Sequence, residues 1–345
     1  MNQTKSLSAV NPEDISQAAE LLQAGEPVAM PTETVYGLAA NALDPAAVAR
    51  IFTAKGRPQD NPLIVHVLSL EDAAPLVKHI PPQARQLAAA FWPGPLTIVL
   101  EKSALVPEIV SAGLHTVALR SPSHPAARVL LQACRLPLAA PSANRSGSPS
   151  PTTAQHVMDD MAGRIAAVLD GGSCGVGVES TVVTLASSIP TLLRPGGVSP
   201  AQLREVLGQL DIAKGVTREL AAGEQAHSPG MKHKHYAPNA TLTLVHGSLE
   251  NILRYAQTHE VDGILCFDED RRQQFDFDCT LLSYGPENDP KEQARQLFAR
   301  LREIDQIGLR SVLVRCPAKD DLGLAVYNRL LRASEFREVN AGVSE

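Results

Sequence analysis

The sequence predicts an α/β protein in two parts, a larger domain on a mixed sheet followed by a smaller parallel α/β unit. Three observations carry this. Apolar runs of strand length alternate with helical periodicities along most of the chain. Their order is irregular up to about residue 210, then becomes strand, helix, strand beyond 240. A length of 345 residues, at roughly 150 per domain, suits two domains. Apolar residues at 44% and charged residues at 20% exclude general disorder, a collagen-like repeat and a coiled coil. Aromatics reach only 4%, so the cores must be filled by Ala, Val, Leu and Ile.

The first helix is announced by Asn11-Pro12-Glu13-Asp14, an N-cap with proline at the first helical position. Ile15, Ala18, Ala19 and Leu22 share one face, and Gly25 stops it. An extended segment, 28–30, leads into Pro31-Thr32-Glu33-Thr34-Val35-Tyr36-Gly37-Leu38. Asp44-Pro45 opens a second helix through Val48, Ile51 and Phe52, which ends before Lys55-Gly56-Arg57-Pro58. Strand-like runs follow at 63–68, 96–100, 116–119, 136–140, 166–169 and 181–185, and helical patterns at 83–91, 125–134 and 153–161. Ser199-Pro200-Ala201-Gln202 is a capping-box pattern, with Leu203, Val206, Leu207 and Leu210 on the inner face. Periodicity fades from about 211 to 240, and the proline-bounded stretch 226–238 reads as an ordered linker. Beyond it come strand 242–245, helix 249–257, strands 263–267 and 280–283, and a helix capped by Asp289-Pro290 and broken at Gly308. Strand 311–314 and a last helix from Asp321 complete a small parallel sheet with crossover helices.

Net charge is −6, distributed as −2 over 1–208 and −5 over 241–345. An acidic C-terminal third argues against a broad electrostatic grip on nucleic acid. No run of about 18 apolar residues and no signal-peptide core occurs, so a cytoplasmic protein is expected. The five cysteines are odd in number and scattered, which fits reduced structural thiols rather than a disulfide framework or a thiolate zinc site.

Several chemistries drop out. No G-x-x-x-x-G-K-[ST] loop and no G-x-S-x-G elbow is present. Gly175-Val176-Gly177-Val178-Glu179-Ser180 has serine where a dinucleotide fingerprint needs its third glycine, and it runs into a strand-rich segment. His233 and His235 have chelating spacing, but a solvated basic linker is the simpler reading. What remains are loops rich in Gly, Pro, Ser, Thr and Asn at element ends, where ligands sit in α/β sheets. Residues 31–38 form one; a strand edge with threonines chosen for β-propensity is its competing reading. Lys55-Gly56-Arg57-Pro58-Gln59-Asp60-Asn61-Pro62 forms another: in an extended segment Lys55 and Arg57 point the same way and suit a triphosphate, with a solvated basic turn as the alternative. Pro141-Ser142-Ala143-Asn144 with the following Ser/Gly-rich loop offers a phosphate or nucleoside cradle, and Glu179-Ser180-Thr181 pairs with Arg194-Pro195-Gly196-Gly197.

These motifs, in this order across residues 10–208, resemble the YrdC-type threonylcarbamoyl-AMP synthases, including the split K-x-R…S-x-N signature as Lys55, Arg57, Ser142 and Asn144. Ser228-Pro229-Gly230-Met231-Lys232-His233-Lys234-His235-Tyr236-Ala237-Pro238 and the later α/β unit are similar to the long, two-domain branch. The resemblance implies a YrdC-like twisted mixed sheet at 1–208, a linker at 209–240 that closes over the site, and a Rossmann-like unit at 241–345. It implies condensation of L-threonine, bicarbonate or CO2, and ATP, with release of pyrophosphate, supplying the threonylcarbamoyl group for t6A formation in tRNA by a downstream transferase. Carried over by motif, threonine would be held by Thr34, His66, Arg120, Ala140 and Ser180. ATP would be held by Lys55, Arg57, Asn61, Thr116, Ser142, Asn144, Ser150, Arg194 and Tyr236, with Mg2+ entering on ATP and no protein side chain ligating it. Lys55 and Arg57 would offset charge building on the leaving group, and no protein nucleophile is needed. A general base for the threonine amine is not evident; His66 could titrate near neutrality, though positioning is its better-supported role. Two alternatives remain: a carbamoyl-adenylate enzyme related to hydrogenase-maturation carbamoyltransferases, whose cysteine-rich segments this chain lacks, and a non-catalytic RNA-binding module.

Overall fold

The computed structural model describes residues 3–218, 236–272 and 279–341. The chain divides into two compact units: 3–146 with 150–216, and 236–341 with Gly147–Pro149 and 217–218. The divide therefore falls later than the expected end of the first domain at 208. Residues 211–212 still pair as a strand in the first sheet, and 214–216 form a 3₁₀ turn against it. The predicted linker lies largely outside the described residues.

Local chemistry explains the helix ends. Asn11 and Asp44 accept hydrogen bonds from the backbone N–H groups of Glu13 and Ala46, each ahead of a proline, to start the helices Pro12–Gln23 and Pro45–Lys55. The Ser199/Gln202 capping box is fully formed at the helix Pro200–Leu207. The 45–55 helix is longer than expected. It runs through Lys55 and ends because Gly56 adopts the left-handed conformation (φ 62°) at its C-cap, which a side chain would strain. The extended pairing expected of Lys55 and Arg57 is thereby corrected: Lys55 is the last helical residue and Arg57 lies beyond a reversal of the backbone.

The first sheet has eleven strands among the described residues: β1 (Lys5–Ser8), β2 (Val28–Met30), β3 (Gly37–Asn41), β4 (Ile64–His66), β5 (Leu96–Glu101), β6 (Thr116–Arg120), β7 (Leu138–Ala139), β8 (Ala167–Asp170), β9 (Thr181–Thr184), β10 (Thr191–Arg194) and β11 (Asp211–Ile212). Their order is β1-β8-β2-β3-β7-β4-β6-β5-β9-β10-β11. Parallel and antiparallel neighbours are mixed, for example β4 parallel to β6 but β5 antiparallel to it. Helices cover both faces. One core packs Val48, Ile51, Leu87 and Leu203 against Leu38, Ile98 and Leu119. The other packs Ala18, Leu22 and Leu130 against Val28, Leu138 and Leu169. These are the small aliphatic cores that the scarcity of aromatics required.

The second unit carries β12 (Thr241–His246), β13 (Gly263–Cys266), β14 (Thr280–Ser283), β15 (Ser311–Arg315) and β16 (Glu338–Asn340), ordered β14-β13-β15-β12-β16 and parallel throughout. Asp289 caps the helix Pro290–Ile307 and Gly308 (φ 78°) ends it. All five cysteines are free thiols. Among the described residues no helix is long and apolar enough to cross a membrane.

Candidate active site

The strand register gathers His66, Arg120, Ser180 and Arg194 at one end of the first sheet. β4 and β6 run parallel with His66 opposite Arg120, and each residue ends its strand. Ala140 follows β7 and donates its backbone N–H to Ile64 O (2.9 Å), so it lies level with the start of β4, two residues back from His66. β5 enters at the end marked by His66 and Arg120, so Thr97 sits one residue from the Ile98–Leu119 pair. Its hydroxyl meets Ser180 Oγ at 2.8 Å just before β9. Arg194 ends β10 and donates to Ser180 O (3.1 Å) and Ser180 Oγ (3.2 Å). The mixed sheet thus brings the ends of β4, β6 and β10 and the starts of β5 and β9 to one rim, where side chains and freed backbone groups can converge on a ligand.

The loop 31–36 supplies the roof. Thr32 is structural: its Oγ1 accepts from the Thr34 and Val35 N–H groups (3.2 and 3.3 Å) and donates to Val35 O (2.6 Å), closing a tight turn. Thr34, fully buried, accepts from Arg120 Nη1 (2.9 Å). Arg120 Nε donates to Gly94 O (3.3 Å), and Nη2 lies 2.8 Å from Glu33 Oε1 in an ion pair buried on both sides. Burial opposes charge on Glu33, but the Arg120 guanidinium together with backbone groups at Glu33 and Ser123 outweighs it and holds the carboxyl below its usual range. The loop then continues as a ladder with the motif after β7: Leu38 N–H to Pro141 O (2.7 Å), Gly37 bridged to Ser142, and Ala143 N–H to Tyr36 O (2.9 Å).

Lys55 locks that second loop in place. Its buried ammonium donates to Ser142 O (2.5 Å) and Asn144 O (2.6 Å), while its own carbonyl accepts from Ser146 N–H (3.0 Å). Burial first, and the neighbouring Arg57 second, make this ammonium easier to deprotonate than an ordinary lysine's. Arg57 stacks over Phe52 (5.7 Å) and donates to Asn61 O (3.1 Å). Among the described residues the buried Asn61 amide and His66 Nδ1 have no hydrogen-bond partner. Ser150 donates to Glu179 Oε1 (2.5 Å) in the interior.

The motif residues therefore form linked groups: Thr34 with Arg120, Ser180 with Arg194, Lys55 with Ser142 and Asn144, and Arg57 with Asn61. Thr116 is set apart from Arg120, at the opposite end of the same strand and roughly 13 Å away. Tyr236 belongs to the second unit, where its ring packs 5.4 Å from Phe298 and 5.8 Å from the Arg329 guanidinium. The expectation that His66 titrates near neutrality is corrected. Burial, then Arg120, lowers it to about 3, so its imidazole is neutral at pH 7. Sequence reasoning missed Glu33, Thr97 and Glu179 as working members. Glu33 lay inside a motif already singled out, while Thr97 sits in an apolar run that carries no signal of a polar contact.

Two expected results arise here. A Cβ on Gly196 would fall 2.3 Å from Thr181 N and 2.4 Å from Glu179 O, both backbone atoms. Gly196→Ala is expected to push the 179–181 segment out of place, lowering the thermal midpoint by several degrees and weakening ligand uptake together. A variant with wild-type melting and binding would show that the close approach is not needed. The second concerns acid. The folded chain keeps His66 neutral down to about pH 3, whereas the unfolded chain takes up that proton near 6.5. Protons therefore favour the unfolded state across that window, and stability falls as pH drops, by up to about 1.4 kcal/mol per pH unit from this residue. Urea unfolding from pH 7 to 5 should show a shallower decline for His66→Gln than for wild type; parallel declines would contradict the buried neutral imidazole.

Known protein families match both parts of the chain. The Sua5/YciO/YrdC domain family, described as telomere recombination, matches residues 20–196. The threonylcarbamoyl-AMP synthase C-terminal domain matches 198–335. A threonylcarbamoyl-AMP synthase of Pyrococcus abyssi is 45% identical over 93% of this chain and 94% of its own length. That of Bacillus subtilis is 43% identical over 97% of both. The crystal structure of P. abyssi Sua5 complexed with L-threonine superposes with a TM-score of 0.90 at 42% identity, covering 98% of this chain and 99% of the other.

Proposed function

The chain belongs to the Sua5/YciO/YrdC family in its long form with the Sua5 C-terminal domain, and from that premise we infer that it is an L-threonylcarbamoyl-AMP synthase. It condenses L-threonine, bicarbonate or CO2, and ATP into threonylcarbamoyl-AMP and pyrophosphate, a nucleotidyl transfer that feeds t6A formation in tRNA. The observation that carries the reading is the buried rim that joins Arg120, Thr34, His66 and Ser180, all within one unit.

The residue roles follow from chemistry. Arg120 offers the amino-acid carboxylate a guanidinium on a rigid strand end. Thr34, Ser180 and the neutral His66 face the rest of the amino acid with donors and acceptors, and the backbone of Ala140 borders it. A site that hydrogen-bonds the threonine hydroxyl rejects analogues without one, because its own polar groups are then stranded. Arg57, Asn61, Ser142, Asn144, Ser150, Thr116 and Arg194 line the proposed nucleotide side. Lys55 serves there mainly by fixing the 142–146 loop. Threonine carbamate attacks the α-phosphorus and pyrophosphate departs, with positioning and electrostatics supplying the catalysis. Mg2+ entering on ATP would offset charge on the leaving pyrophosphate, with Arg57 beside it. The proposed linker begins after residue 216, and Tyr236 is the residue proposed to close over the nucleotide. The product passes to a tRNA threonylcarbamoyltransferase in the cytoplasm.

Pyrophosphate release from ATP and bicarbonate, measured with and without L-threonine, tests the reading. Strict dependence on threonine, with 2-aminobutyrate at least about tenfold poorer, is the expected result. Release without threonine would indicate a different carbamoyl-adenylate enzyme, and no release would remove the synthase assignment.

A further inference from the structure

The Arg120 guanidinium is occupied on every nitrogen, but not by equivalent partners. Nε and Nη1 meet neutral oxygens, Gly94 O and Thr34 Oγ1, which fix its plane. Nη2 meets a carboxylate, Glu33. The contact is close but runs through one nitrogen–oxygen pair, Nη2 to Oε1, while backbone groups at Glu33 and Ser123 also favour the carboxylate. It lacks the parallel, two-bond geometry of a strong arginine–carboxylate pair, so an incoming carboxylate aligned with the guanidinium can displace it. Glu33 itself is held at its backbone, where its carbonyl accepts from Val176 N–H (2.7 Å); only its side chain need move.

Resting on the reading that Arg120 takes the threonine carboxylate, we propose that Glu33 holds Arg120 in register until substrate arrives and, once exchanged for it, accepts the proton of the threonine α-ammonium as the general base. The exchange itself creates the base. With Arg120 neutralised by a second anion, a buried carboxylate remains beside a like charge, and both effects raise its proton affinity. The α-ammonium, two bonds from the carboxylate that displaced it, is the adjacent acid.

The step balances. The ammonium gives one proton to Glu33, leaving a neutral amine and a neutral carboxylic acid. The amine lone pair then forms the N–C bond to bicarbonate, the C–OH bond breaks, and that hydroxyl leaves as water with the second N–H proton. Glu33 returns its proton to solvent as it pairs again with Arg120.

The other titratable groups that sense Glu33 are poorly suited. His66, on the neighbouring strand end, is neutral with its pKa lowered to about 3, too weak a base for an ammonium. His124 is also lowered by burial, and its Nδ1 accepts from Ala126 N–H. Burial pushes the Cys174 thiol up to about 12, so it keeps its proton. Among the described residues around Arg120, Glu33 is the charged acceptor.

Glu33→Gln in the full chain tests this, because the amide keeps the shape and an oxygen for Arg120 but takes no proton. Threonine binding by calorimetry should be retained or tightened at pH 7.5. There kcat should fall at least about tenfold without a rise in threonine KM. It should then climb about tenfold per pH unit towards pH 9, as solvent supplies the free amine, while wild type stays flat. Glu33→Asp should recover part of kcat and the flat profile. A Glu33→Gln enzyme with wild-type kcat and pH profile, or one that loses threonine binding with kcat intact, overturns the proposal. Failure of wild type to bind threonine, or undiminished binding by Arg120→Gln, would instead strike the underlying site reading.

Discussion

Lys55→Met is expected to lower ATP-dependent turnover by at least about a hundredfold, a loss of about 2.7 kcal/mol of transition-state stabilisation. The reason lies in what Lys55 holds. Its ammonium bridges the carbonyls of Ser142 and Asn144, two residues of a loop that otherwise depends on a few backbone hydrogen bonds. Methionine fills the same space but cannot donate, so two carbonyls lose their donor in the interior, at about 1–3 kcal/mol each. The loop then relaxes and carries the nucleotide-facing groups with it. Arg57→Ala, by contrast, removes a half-buried guanidinium at the helix exit and should cost only about tenfold, about 1.4 kcal/mol. Steady-state kinetics on both variants, with thermal melts as a control, checks the ranking. Equal losses, or near-normal turnover in Lys55→Met, would show that the clamp does not set the active geometry.

Arg120→Gln is expected to be the most damaging single change to threonine use, reducing kcat/KM for threonine about a thousandfold, mostly through KM. It removes the cation proposed for the substrate carboxylate and strands Glu33, buried, without its counter-charge. Breaking a buried pair from one side costs about 3–5 kcal/mol of stability. The double variant Arg120→Gln with Glu33→Gln separates the two effects. Stability should largely return, because no unpaired charge remains, while threonine uptake stays lost. Acid titration gives an independent reading. The folded pKa of Glu33 is depressed, so its contribution to stability is full above the ordinary carboxylate range and is lost as pH falls through the folded value. Wild type should lose stability more steeply on acidification than the double variant. A double variant as unstable as Arg120→Gln alone would place the cost elsewhere.

Much of the fold was legible because the signals are local. Asn11, Asp44, Ser199 and Asp289 announced helix starts from their side chains and the prolines beside them, and each caps as expected. The parallel character of the second sheet followed from the succession of strand, helix and strand. Less legible were β3, which reads Gly-Leu-Ala-Ala-Asn and has little β-branched character, and β10, whose Thr191–Arg194 run was noticed chiefly for the turn behind it. The short helices Leu70–Ala73 and Glu108–Ser111 are too brief to show a period, and β16 gains its identity only by pairing with β12. In each case, packing against a neighbour supplied what local propensity did not.

The sequence by itself determined which residue types are available and where the chain turns: caps, periodicities, scarce cations among glycine- and proline-rich loops, and five ordered motifs. Only the tertiary structure decided what those residues touch. It paired Arg120 with Glu33, turned Lys55 from a free cation into a clamp on a distant loop, and held His66 neutral. The physical reason is that burial and the field of a neighbouring charge depend on contacts between residues far apart in the chain, and strand register, not local spacing, sets those contacts.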